Sequence, residues 1–329
     1  MSDLQTFAAS LSKHIRDAER IAIMSHVSPD GDNLGSLDAM YGYLTGLDKD
    51  VVYIGNDDVP EDFTFLTYAK ERVDVEELRD EVFDLLIALD SSDIDRFGDE
   101  GREIFLKAEK TANIDHHLSN DRFADINYVV PKATSTGEVL FRVLEALDAR
   151  ITPEMATALY TAISTDTGSF QYDSVDAETH RVVAKLYDAG CDHNIVVNAV
   201  YQSRSREKLA LMTRVLSKIQ FLASGKVAMV SCLLKDLEAT GASSDDTEGI
   251  VEQLRNIKGV EMAVFLKEKQ DEVKLSFRSK SYLNCIEFAE EFDGGGHVRA
   301  AGASAHVSIE KVEGKVRALV DEKIDAERA

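Results

Sequence analysis

The chain has 329 residues, of which 44% are hydrophobic and only four are proline. That is enough to bury a large core and to divide into two domains. Its formal charge of −23 repels long polyanions, which excludes extended duplex nucleic acid as a partner but not a small phosphorylated substrate held beside cations.

Leu4, Phe7, Leu11 and Ile15 recur at helical spacing among charges, which predicts a surface helix and not a signal peptide. Residues 20–25 form a short apolar run ending at His26 and are expected to be the first strand. A helix is predicted over 34–47 and a second strand over 50–54. Apolar runs at 84–89 and 110–114 end at Asp90 and Asp115. Such runs with helices between them predict a doubly wound, mainly parallel α/β sheet. Residues 135–147 and 153–163 read as helices, the first opened by Thr134-Ser135-Thr136 and the second by Thr152 with Pro153 in its first turn.

One helix is expected over 201–218, carrying Arg204, Arg206, Lys208, Arg214 and Lys218. Beyond it, strands are predicted at 227–233, 262–266 and 272–278, then a helix at 283–292 running into three glycines, and a last helix at 310–324. The expected organisation is a catalytic domain at 1–193, a helical linker at 194–218 and a smaller α/β domain with a mixed sheet at 219–329, with the active-site cleft between the domains. No apolar run approaches the length of a membrane span. Cys191, Cys232 and Cys285 lack any CxxC spacing, so no disulfide framework is expected. A cytoplasmic location is expected.

The chemistry-bearing residues sit where strands end. His26, Asp30 and Asp32 follow the first strand, with Gly31 expected to permit a tight turn between the aspartates. Asp90 and the triplet Asp115-His116-His117 end two further strands, and Asp166 is expected just after a helix. Open α/β sheets gather ligands at the carboxyl ends of their strands. Imidazole plus several carboxylates without a thiolate favours a first-row ion, manganese best, with magnesium or another divalent ion also admitted. Two such ions close together suit phosphoester hydrolysis.

In the second half, Gly294-Gly295-Gly296 lets backbone amides approach an anion, and His297 adds a donor. Arg278, beside Ser279, could grip a phosphate through paired hydrogen bonds. Arg96 is a weaker candidate of the same kind, with Asp93 or Asp95 as its alternative partners. Thr134-Ser135-Thr136-Gly137 either borders the site or serves only as a helix cap.

Four segments together resemble the motifs of DHH phosphoesterases: Ser25-His26-x-x-Pro29-Asp30-Gly31-Asp32-x-x-Gly35-Ser36, Leu89-Asp90-Ser91-Ser92-Asp93, Asn113-Ile114-Asp115-His116-His117 and Ser164-Thr165-Asp166-Thr167-Gly168. Phe292-x-Gly294-Gly295-Gly296-His297-x-x-Ala300-Ala301-Gly302 resembles the DHH-associated C-terminal domain, and Phe277-Arg278-Ser279 resembles a segment of the same family. Asp293 stands where many relatives have another glycine.

The resemblance implies that His26, Asp30 and Asp90 hold one metal and that Asp32, Asp90, His116 and Asp166 hold the other, with Asp90 bridging. Asp115 would orient a histidine, and His117 would face the substrate phosphate. Arg278, Ser279, Gly294, Gly295, Gly296 and His297 would bind substrate. The implied activity is manganese-dependent hydrolysis, by a two-metal hydroxide mechanism, of short oligoribonucleotides or 3′,5′-phosphorylated adenosine (pAp). Cleavage of cyclic di-AMP or pApA is the alternative, followed by an inorganic pyrophosphatase and a non-catalytic nucleotide sensor. A homodimer is compatible with this reading.

Overall fold

The structure, a computed structural model, describes residues 3–325. It separates into two compact units with the boundary between Ser203 and Arg204.

The first unit is built on six parallel strands: β1 (Arg20–Met24), β2 (Asp50–Gly55), β3 (Arg72–Asp74), β4 (Leu85–Leu89), β5 (Thr111–Asp115) and β6 (Ile126–Val129). Their order across the sheet is β3-β2-β1-β4-β5-β6. The helices are α1 (Asp3–Asp17), α2 (Gly31–Thr45), α3 (Gly98–Lys107), α4 (Thr136–Ala146), α5 (Pro153–Asp166), α6 (Ala177–Asp188) and the short α7 (His193–Val196). Alternation along the strands divides the core. Ile21, Ile23, Leu85, Ile87 and Leu89 pack under α1, α2, α4, α5 and α6, whereas Ala22, Met24, Leu86 and Ala88 pack with Phe97, Ile104 and Phe105 of the opposite layer. Both faces are therefore covered, which is why these strands read as continuous apolar runs and not as alternating ones.

The second unit has helices α8 (Arg206–Leu216), α9 (Leu234–Thr240), α10 (Ile250–Arg255), α11 (Cys285–Ala289) and α12 (Ile309–Asp325). Its strands are β7 (Gln220–Leu222), β8 (Val227–Cys232), β9 (Met262–Glu268), β10 (Val273–Ser279), β11 (Gly295–His297) and β12 (Ala300–Ala305). They form a mixed sheet in the order β11-β12-β10-β9-β8-β7, with only β8 and β9 parallel.

Several boundaries differ from expectation for local reasons. The single helix expected over 201–218 is a π-helical turn Val197–Tyr201, a break, and then α8, because Ser205 accepts a hydrogen bond from the Lys208 amide and starts a new helix. Leu211, Met212 and Val215 of α8 pack into the second unit's core. The helix expected at 283–292 is shortened to α11 plus a 3-10 turn ending at Phe292. No helix among the described residues is long and apolar enough to cross a membrane.

Candidate metal centre

β1 and β4 lie side by side at the centre of the first sheet, and the chain leaves them in opposite directions. α2 follows β1 on one face, and α3 follows β4 on the other. Such a switch point opens a crevice at the strands' carboxyl ends. His26 and Asp90 stand there, with His26 Nε2 3.3 Å from Asp90 Oδ2. Asp90 is buried, and its backbone sits in the left-handed region at φ 53°. That is an uncommon conformation for a residue with a Cβ and occurs most where function holds it.

The two aspartates after His26 are held by helix ends and not by a loop. Asp30 is the N-cap of α2 and accepts from the Asn33 amide at 3.0 Å. Asp32 lies in the first turn, buried, and its carboxylate accepts from the Thr136 and Gly137 amides at 2.6 and 2.8 Å. The N-terminus of α4 thus grips Asp32 while Ser135 caps the same helix. The Thr134–Gly137 segment therefore does both of the jobs considered for it. Gly31 has no left-handed backbone; what it lacks room for is a side chain. A Cβ there would lie 2.4 Å from Thr165 Oγ1, and one at Gly137 would lie 2.4 Å from the Ala162 methyl. These glycines let α2 and α4 close on α5, whose last residue is Asp166. The helix runs three residues past its predicted end and carries Asp166 into the cluster.

Each histidine uses Nδ1 on a protein acceptor. His26 Nδ1 is 2.8 Å from the Val27 carbonyl oxygen, and His116 Nδ1 is 3.3 Å from that of Ala133. This leaves Nε2 of His116 facing Asp166 at 3.5 Å, Asp32 at 3.8 Å and Asp90 at 3.9 Å. Metal-ligating imidazoles are commonly fixed in this way. His117 differs: its Nδ1 donates to the fully buried Asp115 at 2.7 Å. The second Asp115 oxygen accepts from Asn120 Nδ2 at 2.7 Å, and that amide also reaches Asn113 Oδ1 and the Ser91 carbonyl oxygen. Thr136 Oγ1 adds a 2.9 Å bond to Asp90.

Three groups gather ligand atoms within 4.8 Å of one another: His26, Asp30 and Asp90; Asp32, His116 and Asp166; and Asp90, His116 and His117. The third shares Asp90 and His116 with the others, and the Nδ1 of His117 is already engaged by Asp115. Two adjacent groups remain, and Asp90 of the first lies 3.9 Å from His116 Nε2 of the second. Burial, reinforced by repulsion from Asp90, Asp166 and Asp30, pushes Asp32 well above the usual carboxylate range. Burial likewise pushes Asp166 up to about 6, with the charges of Asp90 and Asp30 adding to it and His116 opposing. Burial also disfavours charge on Asp90, but the hydrogen bond from His26 and the charges of His116 and His117 outweigh it and hold that carboxyl well below its usual range. Burial lowers His117, yet Asp115, Asp90 and Asp166 overcome it and raise the imidazole to about 9. Crowded buried carboxylates of this kind fit divalent cations, which would offset the repulsion.

The remaining candidates are Arg96 and the residues of the second unit. Arg96 is exposed beyond β4; its carbonyl oxygen accepts from the Val27 amide, while Asp95 pairs with Arg102. Among the described residues, Arg96 forms no ion pair with Asp93 or Asp95. In the second unit, Ala300 of β12 is paired with both Arg278 of β10 and His297 of β11, so these three side chains share one sheet face. Ser279 is buried on the opposite face. Arg278 Nε is 3.6 Å from Glu252 Oε1. Gly295 and Gly296 belong to the edge strand β11, and Gly294 leads into it. A Cβ at Gly294 would lie 2.3 Å from the Gly302 carbonyl oxygen, whereas Gly295 has open space. Asp293 takes φ 56°, a backbone that suits glycine and that aspartate tolerates better than most residues.

Two family models match the chain: the DHH family N-terminal domain over residues 20–163 and the DHHA1 domain over residues 225–326. The "bifunctional oligoribonuclease and PAP phosphatase NrnA" of Thermus thermophilus is 33% identical over 285 residues, covering 86% of this chain and 83% of that protein. The protein of the same name from Bacillus subtilis is 26% identical, covering 88% and 90%. Among solved structures, an exopolyphosphatase-related protein from Bacteroides fragilis superposes with a TM-score of 0.91 at 29% identity, over 98% of each chain. The manganese complex of RecJ from Thermus thermophilus gives 0.59 at 16% identity, covering 98% of this chain and 55% of that one, and shares the fold.

The fold and its cluster of carboxylates and imidazoles are those of a phosphoester-hydrolysing enzyme. The chain belongs to the DHH family, with an N-terminal DHH domain followed by a DHHA1 domain.

Proposed function

We propose that the enzyme hydrolyses short phosphorylated nucleotides, namely pAp and oligoribonucleotides of a few residues, with two manganese ions. The observation that carries this reading is the pair of adjacent ligand groups, His26, Asp30 and Asp90 beside Asp32, His116 and Asp166, with Asp90 3.9 Å from His116 Nε2. The names of the Thermus and Bacillus relatives support the choice of substrate. His26, Asp30 and Asp90 hold one ion; Asp32, Asp90, His116 and Asp166 hold the other. When bound, the ions supply a water-derived nucleophile at neutral pH and neutralise charge on the phosphoryl oxygens.

The chain's own residues do the rest. The Thr136 and Gly137 amides and the Thr136 hydroxyl fix Asp32 and Asp90, so the ligands need no rearrangement. Asp115, itself held by Asn120, keeps His117 protonated on Nδ1 and leaves Nε2 to serve a phosphate oxygen as hydrogen-bond donor and acid. Arg278 and His297 bind a substrate phosphate through charge-assisted hydrogen bonds. The acidic surface and the absence of a long basic track along the sequence argue against long duplex substrates.

One manganese-supplemented assay presenting pAp, pApA, a five-nucleotide RNA, cyclic di-AMP, pyrophosphate and a long RNA tests the reading. Turnover of pAp and the five-nucleotide RNA above the others is expected. Faster hydrolysis of pyrophosphate or of the long RNA would contradict it.

A further inference from the structure

Immediately beyond Asp166 the backbone does something costly. Gly168, Ser169 and Phe170 take φ values of 56°, 57° and 63°, three left-handed residues in succession, two of them with a Cβ. Isolated left-handed residues are usual at turns, but a run is not, because each side chain meets its own backbone. Such strain persists where the surroundings over-determine it. Here the Thr167 hydroxyl accepts from the Phe170 amide at 3.0 Å, and the Thr167 carbonyl oxygen accepts from the amides of Gln171 and Tyr172. The Phe170 ring is anchored against Tyr160 and His180.

The consequence of this turn is the position of Tyr172. Its ring is folded back onto Gly168, so closely that a Cβ on that glycine would lie 2.5 Å from Tyr172 Cζ. An aromatic ring is thereby fixed beside a residue two positions from Asp166, and yet Tyr172 remains 40% exposed. Tyrosine is intermediate between buried and exposed residue types, so what marks this ring is its fixed position and not its exposure. Here a strained turn fixes it, partly open, against Gly168, two residues along the chain from the candidate ligand Asp166. The geometry points to Tyr172 as the platform on which the nucleobase of the substrate stacks. Stacking on an aromatic face is tolerant of base identity and of useful strength, and a ring already fixed in place loses little freedom when the base arrives. Tyr172 thus sets the preference for nucleotides over base-free phosphoesters. This rests on the proposed nucleotide hydrolysis and adds to it a specificity determinant outside the metal ligands and the second unit.

Leu118 provides the competing candidate within the same unit. It follows His117 directly and is 84% exposed, but it offers a base no π-face. The test compares kcat/KM for pAp with that for its abasic analogue, ribose 3,5-bisphosphate, in the wild type and in Y172A, Y172F and L118A. Y172A is expected to lower the pAp-to-abasic ratio about 10-fold, mainly through KM for pAp, and Y172F to restore it because stacking does not need the hydroxyl. Thermal denaturation of each variant separates misfolding, which would depress both substrates together. A Y172A enzyme with an unchanged ratio, or a ratio that falls in L118A and not in Y172A, would overturn the assignment. A folded, manganese-supplied wild type inert towards both compounds would overturn the underlying nucleotide reading as well.

Discussion

The two units place their candidate functional groups in opposite physical settings. In the first, Asp32, Asp90 and Asp115 are buried at the carboxyl ends of parallel strands or in a helix's first turn, and each of these three accepts a hydrogen bond from the protein. In the second, Arg278 and His297 stand on the face of the mixed sheet near its antiparallel edge, with His297 exposed and Arg278 partly so. Buried charges are energetically expensive and strongly coupled, whereas exposed ones interact weakly and are screened by solvent. The lesson is a division of labour. Chemistry that needs perturbed protonation is built where water is excluded, and recognition of a charged group is built where that group can reach it.

That contrast can be broken most severely at Asp90. Asp90→Ala removes the carboxylate common to both ligand groups and should cost about a thousandfold or more in kcat, measured at saturating manganese. His117→Ala leaves both ligand groups complete and is expected to lower kcat by about 10²–10⁴-fold, with the manganese dependence of activity retained. Loss of manganese binding in that variant would mean that His117 is itself a ligand. Arg278→Ala should act more mildly, raising KM for pAp about 10–100-fold with little change in kcat, because it removes one charge-assisted interaction made to bound substrate. A large fall in kcat instead would place Arg278 in the chemical step.

The smallest expected effect is on stability, and its sign is fixed by the protonation pattern. In chelated protein, Asp32 and Asp166 have folded-state pKa values above their unfolded ones, Asp166 at about 6. The stability they contribute is present at acidic pH and is lost as pH rises through about 6. Asp90 and Asp115 are shifted the other way, so their contribution is lost only as pH falls below the normal carboxylate range. Melting temperatures of the chelated protein should therefore decline between about pH 4 and pH 6, and added manganese should reverse the decline. A rising or flat profile would contradict the crowding of these carboxylates.

Much of this was legible in the sequence, and unevenly so. Strands β1, β2, β4 and β5 announced themselves, most clearly where burial on both faces makes a continuous apolar run, as at Leu85–Leu89; β6, half-buried throughout, did not. The short edge strands β3, β7 and β11 carry no such signal, since three half-covered or exposed residues have no distinctive pattern. At the site, the residues bearing carboxylate and imidazole could be read from their places at strand ends. Their supports were less legible: the segment with Thr136 could be read only as a helix cap or a border of the site, and Asn120 not at all, because they act through contacts with residues 46 and 5 positions away, respectively. The glycines were visible but their reason was not. Gly31 makes room for Thr165, a contact no local pattern encodes. The left-handed backbone of Asp90 was equally hidden, because it is imposed by the sheet and its neighbours and not by the residue type.

The central claim is that the first unit holds two cations joined through Asp90. X-ray diffraction from crystals grown with manganese, collected at its absorption edge, tests it most directly. The account predicts two anomalous peaks, one bounded by His26, Asp30 and Asp90 and the other by Asp32, Asp90, His116 and Asp166. A single peak, or peaks away from Asp90, would contradict it.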